Sequence, residues 1–251
     1  MQNSYTDFAA FYDAMMHDVD YRIWVARIDA IIREQMTNRS ELSIVDCACG
    51  TGEISCGLAK LGYRVTGVDN SSDMLRFAQD KARRLGLHIP FVCMDMRHFA
   101  LHKRVDVVNC SCDGVNYLTS RSAVNSFLKS ANDALKTCGL LTFDISTRFK
   151  LAEVLGGNCF GEDLPACTYL WRNAYDPAEK LLQMDLHIFA READGRYRRF
   201  DEQHIQRAHS DTEIRSMLDE NGFDVLAVYD DLTDRPADVR TERALYVCRR
   251  R

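Results

Sequence analysis

Proline is scarce, four in 251 residues, and glycine numbers only thirteen. Together they are too few for a collagen-like, low-complexity or largely disordered chain. No stretch free of Asp, Glu, Lys and Arg runs past about ten residues, whereas a membrane-spanning helix takes ~18–20 apolar ones. The opening Met1-Gln2-Asn3-Ser4-Tyr5-Thr6-Asp7 lacks the basic and apolar regions of a secretory signal, so the chain is expected to be cytoplasmic. An excess of basic charge is missing too: 32 Lys and Arg against 37 Asp and Glu leave −5 at pH 7. That balance argues against a nucleic-acid binder working through bulk electrostatics. Arg249, Arg250 and Arg251 read as a solvated tail. What is plentiful is cysteine, ten in all, yet none in a Cys-x-x-Cys pair. Cys47-Ala-Cys49 and Cys110-Ser-Cys112 are too tightly spaced for structural zinc, so no metal site is expected. Most of these thiols read as small buried hydrophobes in a reducing compartment.

Hydrophobic residues make up 46% of the chain, enough for a substantial core. Tyr5, Phe8, Ala9, Tyr12 and Met16 share one helical face, and Trp24, Val25, Ile28, Ile31 and Ile32 form a second helix. From residue 44, short apolar runs alternate with amphipathic helices. The runs are 44–48, 64–68, 89–94, 105–109 and 140–145. The helical stripes are Ile54, Leu58 and Leu61; Leu75, Ala78, Ala82 and Leu85; and Val124, Phe127, Leu128, Ala131 and Leu135. Near-continuous apolar strands between helices predict a parallel sheet buried on both faces. The pattern breaks over 160–209, where 168–175, 181–190 and 197–208 read as an antiparallel meander with one apolar and one polar face. Ser210 and Glu213 then form a capping box, and 223–228 and 244–248 supply two last strands. The meander is therefore an insertion into an α/β domain.

The first sheet strand runs into Asp46-Cys47-Ala48-Cys49-Gly50-Thr51-Gly52 before a helix. Glycines there let the backbone approach a ligand, and the helix N-terminus offers free N–H groups to an anion. Asp69 ends the second strand, placed to accept both hydroxyls of a ribose. These two features fit a nicotinamide fold equally well. Asp46, inside the first strand, suits an amino group better than a pyrophosphate. Asp95 ends the third strand, where it can accept from an adenine amino group. The fourth strand closes with Asn109-Cys110-Ser111-Cys112-Asp113, at the carboxyl edge where open α/β sheets bind ligands. An amino acid, a ribose and an adenine in that order describe S-adenosylmethionine.

The segment 46–52 resembles motif I of the class I S-adenosylmethionine-dependent methyltransferases, and Asp69, Asp95 and 106–113 fall where further motifs belong. Tyr12-Asp13-Ala14-Met15-Met16, Tyr21-Arg22-Ile23-Trp24 and the insertion are similar to a small-molecule bacterial subgroup that includes amino-sugar N-methyltransferases. The resemblance implies a Rossmann-like, doubly wound, mostly parallel sheet of seven strands over 41–159 and 210–251. It also implies a helical cap over 1–40 and a β insertion, 160–209, roofing the acceptor site. By position, Gly50 and Gly52 would hold the methionine moiety and Asp69 the ribose, with Asn70 and Met74 beside it. Asp95 and Met96 would flank the adenine, Cys110 would offer backbone near the amino group, and Tyr21 and Trp24 would meet the methionine end. Cys47 and Cys49 stand where the family often has Gly or Ala.

On the acceptor side, Asn116 and Tyr117 follow the fourth strand, and Trp171 and His204 are expected to shape the pocket. His187, on the polar face of the meander, is the candidate general base. The expected reaction is direct in-line methyl transfer to N or O of a small molecule. A nicotinamide oxidoreductase leaves Asp46 and Asp95 unexplained; a non-catalytic binder of the same cofactor shares every feature. No Asn-Pro-Pro-Tyr run follows the fourth strand, which disfavours nucleic-acid methylation.

Overall fold

One short helix and one of fifteen residues lead into a regular alternation of strand and helix. The computed structural model describes residues 8–36 and 41–251; Tyr5, on the expected face of the first helix, lies outside them. Helices α1 (Ala9–Met15) and α2 (Tyr21–Gln35) come first. Next come β1 (Ser43–Cys47), α3 (Glu53–Lys60), β2 (Arg64–Asp69), α4 (Ser72–Arg84) and β3 (Phe91–Cys93). They are followed by β4 (Val105–Cys110), α5 (Arg121–Ala134) and β5 (Leu135–Ser146). Strands β6 (Cys159–Asp163), β7 (Cys167–Asp176), β8 (Leu181–Arg191) and β9 (Tyr197–Arg207) form a separate antiparallel sheet. The chain closes with α6 (Asp211–Glu220), β10 (Phe223–Asp230) and β11 (Arg243–Arg250).

The main sheet has seven strands in the order β10-β11-β5-β4-β1-β2-β3. Only β11 runs against its neighbours. Successive residues of the central strands feed opposite faces, as strand geometry demands. Ile44, Val107, Leu140 and Leu245 pack with Trp24, Ile28 and Ile31 of α2. Their neighbours Val45, Val108, Leu141 and Tyr246 pack with Phe127, Leu128 and Ile214 on the other side. Two buried faces explain the unbroken apolar runs. The inner face of the second sheet, through Leu186 and Ile188, packs on Phe8 and Ala9 at α1 and on Met74 of α4. α1 therefore lies between the two sheets.

Helix starts follow the caps: the Ser71 hydroxyl accepts from Met74 N at 3.2 Å, and the Ser120 hydroxyl from Ala123 N at 3.2 Å. Several boundaries differ from the sequence expectation. Leu61 and Leu85 sit just past helix ends and are exposed, while Leu135 opens β5. The meander gains a fourth strand, β6, whose Gly161 and exposed side chains hide it from periodicity. The terminal arginines are not a solvated tail. Arg249 and Arg250 continue β11, where Arg249 donates to Gln35 and Arg250 to Asn132. Among the described residues no helix is long and apolar enough to cross a membrane.

Candidate active site

Strand order reverses between β1 and β4, and at their carboxyl ends lies a small cavity of about 40 Å³. Its floor is the turn between β1 and α3. Gly50 and Gly52 adopt φ of 54° and 77°, a region that favours glycine. A Cβ on Gly52 would press on Ala78 at 3.0 Å, whereas one on Gly50 would meet nothing within 4 Å. The Gly50 backbone thus faces open space, as close approach to a ligand requires. Ala48, Cys112 and Asp113, three of the seven described non-glycine residues with positive φ, lie at or beside the cavity.

Asp46 lines this cavity and is otherwise enclosed. Its Oδ2 accepts from the Ser55 hydroxyl at 2.5 Å and its Oδ1 from Asn109 Nδ2 at 2.7 Å. Ser111 and Thr142 in turn donate to Asn109 Oδ1, which fixes the amide. Burial pushes the Asp46 carboxyl up to about 6 against the pull of these hydrogen bonds. Asp69, at the end of β2, accepts from Gly50 N at 2.8 Å and Ser71 N at 2.9 Å. It therefore braces the glycine turn, and burial raises its pKa as well. A carboxylate has about four lone-pair sites, so these two bonds leave room for further donors.

The other expected cofactor residues are spread more widely. Tyr21 lines the cavity together with Tyr12, while Trp24 lies in the core with the Arg243 guanidinium 5.2 Å over its ring. Met74 is buried under α1, and Asn70 is exposed at the end of β2. Asp95 is held by Arg97, whose Nε reaches its two oxygens at 3.0 and 2.9 Å and keeps its pKa low. Met96 packs against the core beside α5. Cys110 is buried behind the cavity wall; Cys49 and Cys112 are in that wall. Burial holds all three thiols well above their usual range, which makes them packing groups.

On the acceptor side, sequence reasoning fares less well. Asn116 is fully buried. Its amide donates to the carbonyls of Ser146 and Arg207, both at 2.9 Å, and accepts from Ser146 N at 2.8 Å. That commits its polar atoms to tying β5 to β9, a structural task. His187 projects from the face of β8 opposite Leu186 and Ile188, away from α1, and its Nδ1 lies 2.7 Å from Asp201. It does not line the cavity. His204 is buried, its ring 5.7 Å from Phe8 and 5.9 Å from Tyr117, and burial lowers its pKa to about 4. Trp171 lies tilted against Phe160, ring centres 5.7 Å apart, on the inner face of the second sheet.

Several site residues escaped the sequence reading: Thr51, Glu53, Ser55 and Asn109. Asn109 had a signal, a polar side chain closing an otherwise apolar strand. Ser55 lies three residues past Gly52, on the buried face of α3.

An open α/β sheet with a glycine turn at its switch point, an acid at or near each of the first two strand ends and two helices ahead of the first strand is the arrangement of a cofactor-binding fold. The comparisons narrow the class. Residues 44–139 match the methyltransferase domain family. YqeM of Bacillus subtilis (strain 168), which carries a methyltransferase name, is 35% identical over 96% of this chain and 95% of its own. The crystal structure of an S-adenosylmethionine-dependent methyltransferase from Clostridium acetobutylicum ATCC 824 superposes with a TM-score of 0.87. It is 30% identical and the match covers 98% of each chain. The sugar N-methyltransferase KedS8 from Streptoalloteichus sp ATCC 53650 shares the fold, with a TM-score of 0.82, 20% identity, and 97% and 92% of the two chains covered. The chain belongs to the S-adenosylmethionine-dependent methyltransferases. Buried Asp46, the start of α3 and Asp69 beside the glycine turn give the cavity acidic and N–H groups together, which fits a cofactor that carries both an ammonium and a carboxylate.

Proposed function

We propose that this enzyme methylates a nitrogen or oxygen of a small molecule, working in the cytosol. The observation that carries the reading is the cavity between Asp46, the Gly50 backbone and Cys112, at the sheet's switch point. Bound there, S-adenosylmethionine supplies an activated methyl group on its sulfonium. Asp46 takes the ammonium, the first turn of α3 the carboxylate and Asp69 the ribose hydroxyls. Asn70, Asp95 and Met96 line the adenine end. Tyr12 and Tyr21 close the cavity from the cap, 1–40, and exclude water.

The acceptor enters on the Cys112–Asp113 side, beneath the insertion at 160–209. Gln206 of β9 supports this, since its amide donates to Asp113 Oδ2 at 2.7 Å and brings the second sheet to that turn. The protein's task is alignment of the acceptor lone pair with the methyl in a dry site. His187 faces away from the cavity, so proton removal is not assigned to it. Ten free cysteines support a reducing compartment, and the net charge of −5 disfavours a polyanionic acceptor.

Incubation of the enzyme with methyl-labelled cofactor and a cell extract tests the reading. Label in a dialysable product that separates from the cofactor on chromatography is expected. Label confined to protein or nucleic acid would overturn the small-molecule acceptor, and cofactor binding without any transfer would favour a non-catalytic role.

A further inference from the structure

Lysine is among the side chains least often buried, and a buried lysine is a paired one. Lys81, on the inner side of α4, is only 9% exposed. Its ammonium has three protons to give. It donates to Asp13 Oδ2 at 2.8 Å, Glu53 Oε1 at 2.6 Å and Thr51 Oγ1 at 3.2 Å. Thr51 Oγ1 closes the ring by donating to Asp13 Oδ1 at 2.6 Å. Four pieces of chain meet there: α1 through Asp13, the glycine turn through Thr51, the first residue of α3, and α4. Thr51 and Glu53 line the cavity, and so does Tyr12, the neighbour of Asp13.

α1 is two turns long, too short to persist without tertiary partners. Its outer side is held by apolar contacts under the second sheet, including Phe11 against Phe200 at 5.6 Å. Its cavity side is held by Asp13. We propose that Lys81 is a positioning residue, a latch that shuts α1 over the glycine turn and thereby sets how fast cofactor enters and leaves. The proposal rests on the reading of the cavity as the methionine end of the S-adenosylmethionine site. Lys81 acts through Thr51, Glu53 and α1 and lies outside the cavity lining. Removing the Asp13 charge weakens the hold on the helix while Lys81 keeps Thr51 and Glu53, so the floor stays formed as the lid loosens.

The test is the dissociation rate of S-adenosylhomocysteine from the full chain, followed by stopped-flow fluorescence. Asp13→Asn and Lys81→Met should each speed release roughly ten- to hundredfold, the worth of one charge-assisted hydrogen bond. The double variant should release no faster than Lys81→Met, because both changes break the same contact. Lys81→Arg should restore part of the slow rate. Hydrogen exchange should quicken in α1 of Asp13→Asn and stay unchanged in α4, which a general loss of stability would not produce. Wild-type release rates in Asp13→Asn, additive effects, or equal loosening of α1 and α4 would overturn the latch. Asp13→Asn keeps Lys81 paired, so the test survives even where Lys81→Met fails to fold. If the wild type binds no S-adenosylhomocysteine, the cavity reading falls and the latch with it; if it binds and the variants release normally, the latch alone falls.

Discussion

Asp46 is the residue whose environment does most to connect fold with chemistry. β1 must be apolar on both sides to sit mid-sheet, yet its fourth residue is an acid that burial pushes up to about 6. The raised value means that, between the usual carboxylate range and about pH 6, folded, ligand-free protein holds a proton there that unfolded chain has shed. This contribution to stability is present below the usual carboxylate range and lost as pH rises through about 6, at most about 3 kcal/mol. A cofactor ammonium prefers the carboxylate, so affinity has the opposite trend. Affinity for S-adenosylhomocysteine should rise with pH through about 6 and then level off, and Asp46→Asn should bind at least tenfold more weakly with a flat profile. Titrations between pH 5 and 8 check this; a flat wild-type profile would remove Asp46 from the ammonium site. At this scale the sequence singled out Asp46, Gly50 and Asp69, because a glycine turn and strand-end acids are local patterns; the structure brings Asp46 and Gly50 to one cavity, with Asp69 accepting from Gly50 N. It concealed Lys81 and Asp13, which lie 68 residues apart in the chain. It also misdirected attention to Asn116 and His187. A side chain's polarity does not say which face of an inserted sheet meets the cleft, nor whether a buried amide serves a ligand or two carbonyls.

The elements were the most legible layer wherever burial imposed a period. Strands covered on both faces read as apolar runs, and Gly62, Gly86 and Gly222 follow helix ends with positive φ. Exposed elements were not legible. β3 keeps only three residues, and the edge strand β6 has no apolar face to register. The junction of α5 with β5 is immediate, so Leu135 satisfied the helical stripe while opening the strand. The return from the insertion was marked by a strong local signal, the Ser210–Glu213 capping box. Its Ser210 hydroxyl accepts from Glu213 N at 3.2 Å, and the Glu213 carboxylate accepts from Ser210 N at 3.0 Å. Ser210→Ala should therefore cost about 1 kcal/mol. Urea unfolding should show a lower midpoint with an unchanged slope; an unchanged midpoint would mean that packing of Ile214, Met217 and Leu218 alone holds α6.

Across the whole molecule, two sheets and a short helix divide the work. The seven-stranded sheet presents its carboxyl edge and glycine turn, the second sheet leans over that edge, and α1 fills the space between them. The ion-paired tie at Lys81 and the Gln206–Asp113 bond fasten the upper layer to the lower at two sides of one cavity. In this account the cavity is the methionine end of the cofactor site, with Asp69 at the ribose. The most direct test is a calorimetric titration of cofactor-free protein with S-adenosylhomocysteine, run beside Asp69→Ala and beside NAD. The account predicts one site per chain, an affinity reduced roughly ten- to hundredfold in Asp69→Ala, and no heat from NAD. Binding of NAD in place of S-adenosylhomocysteine, or an Asp69→Ala affinity equal to that of the wild type, would contradict it.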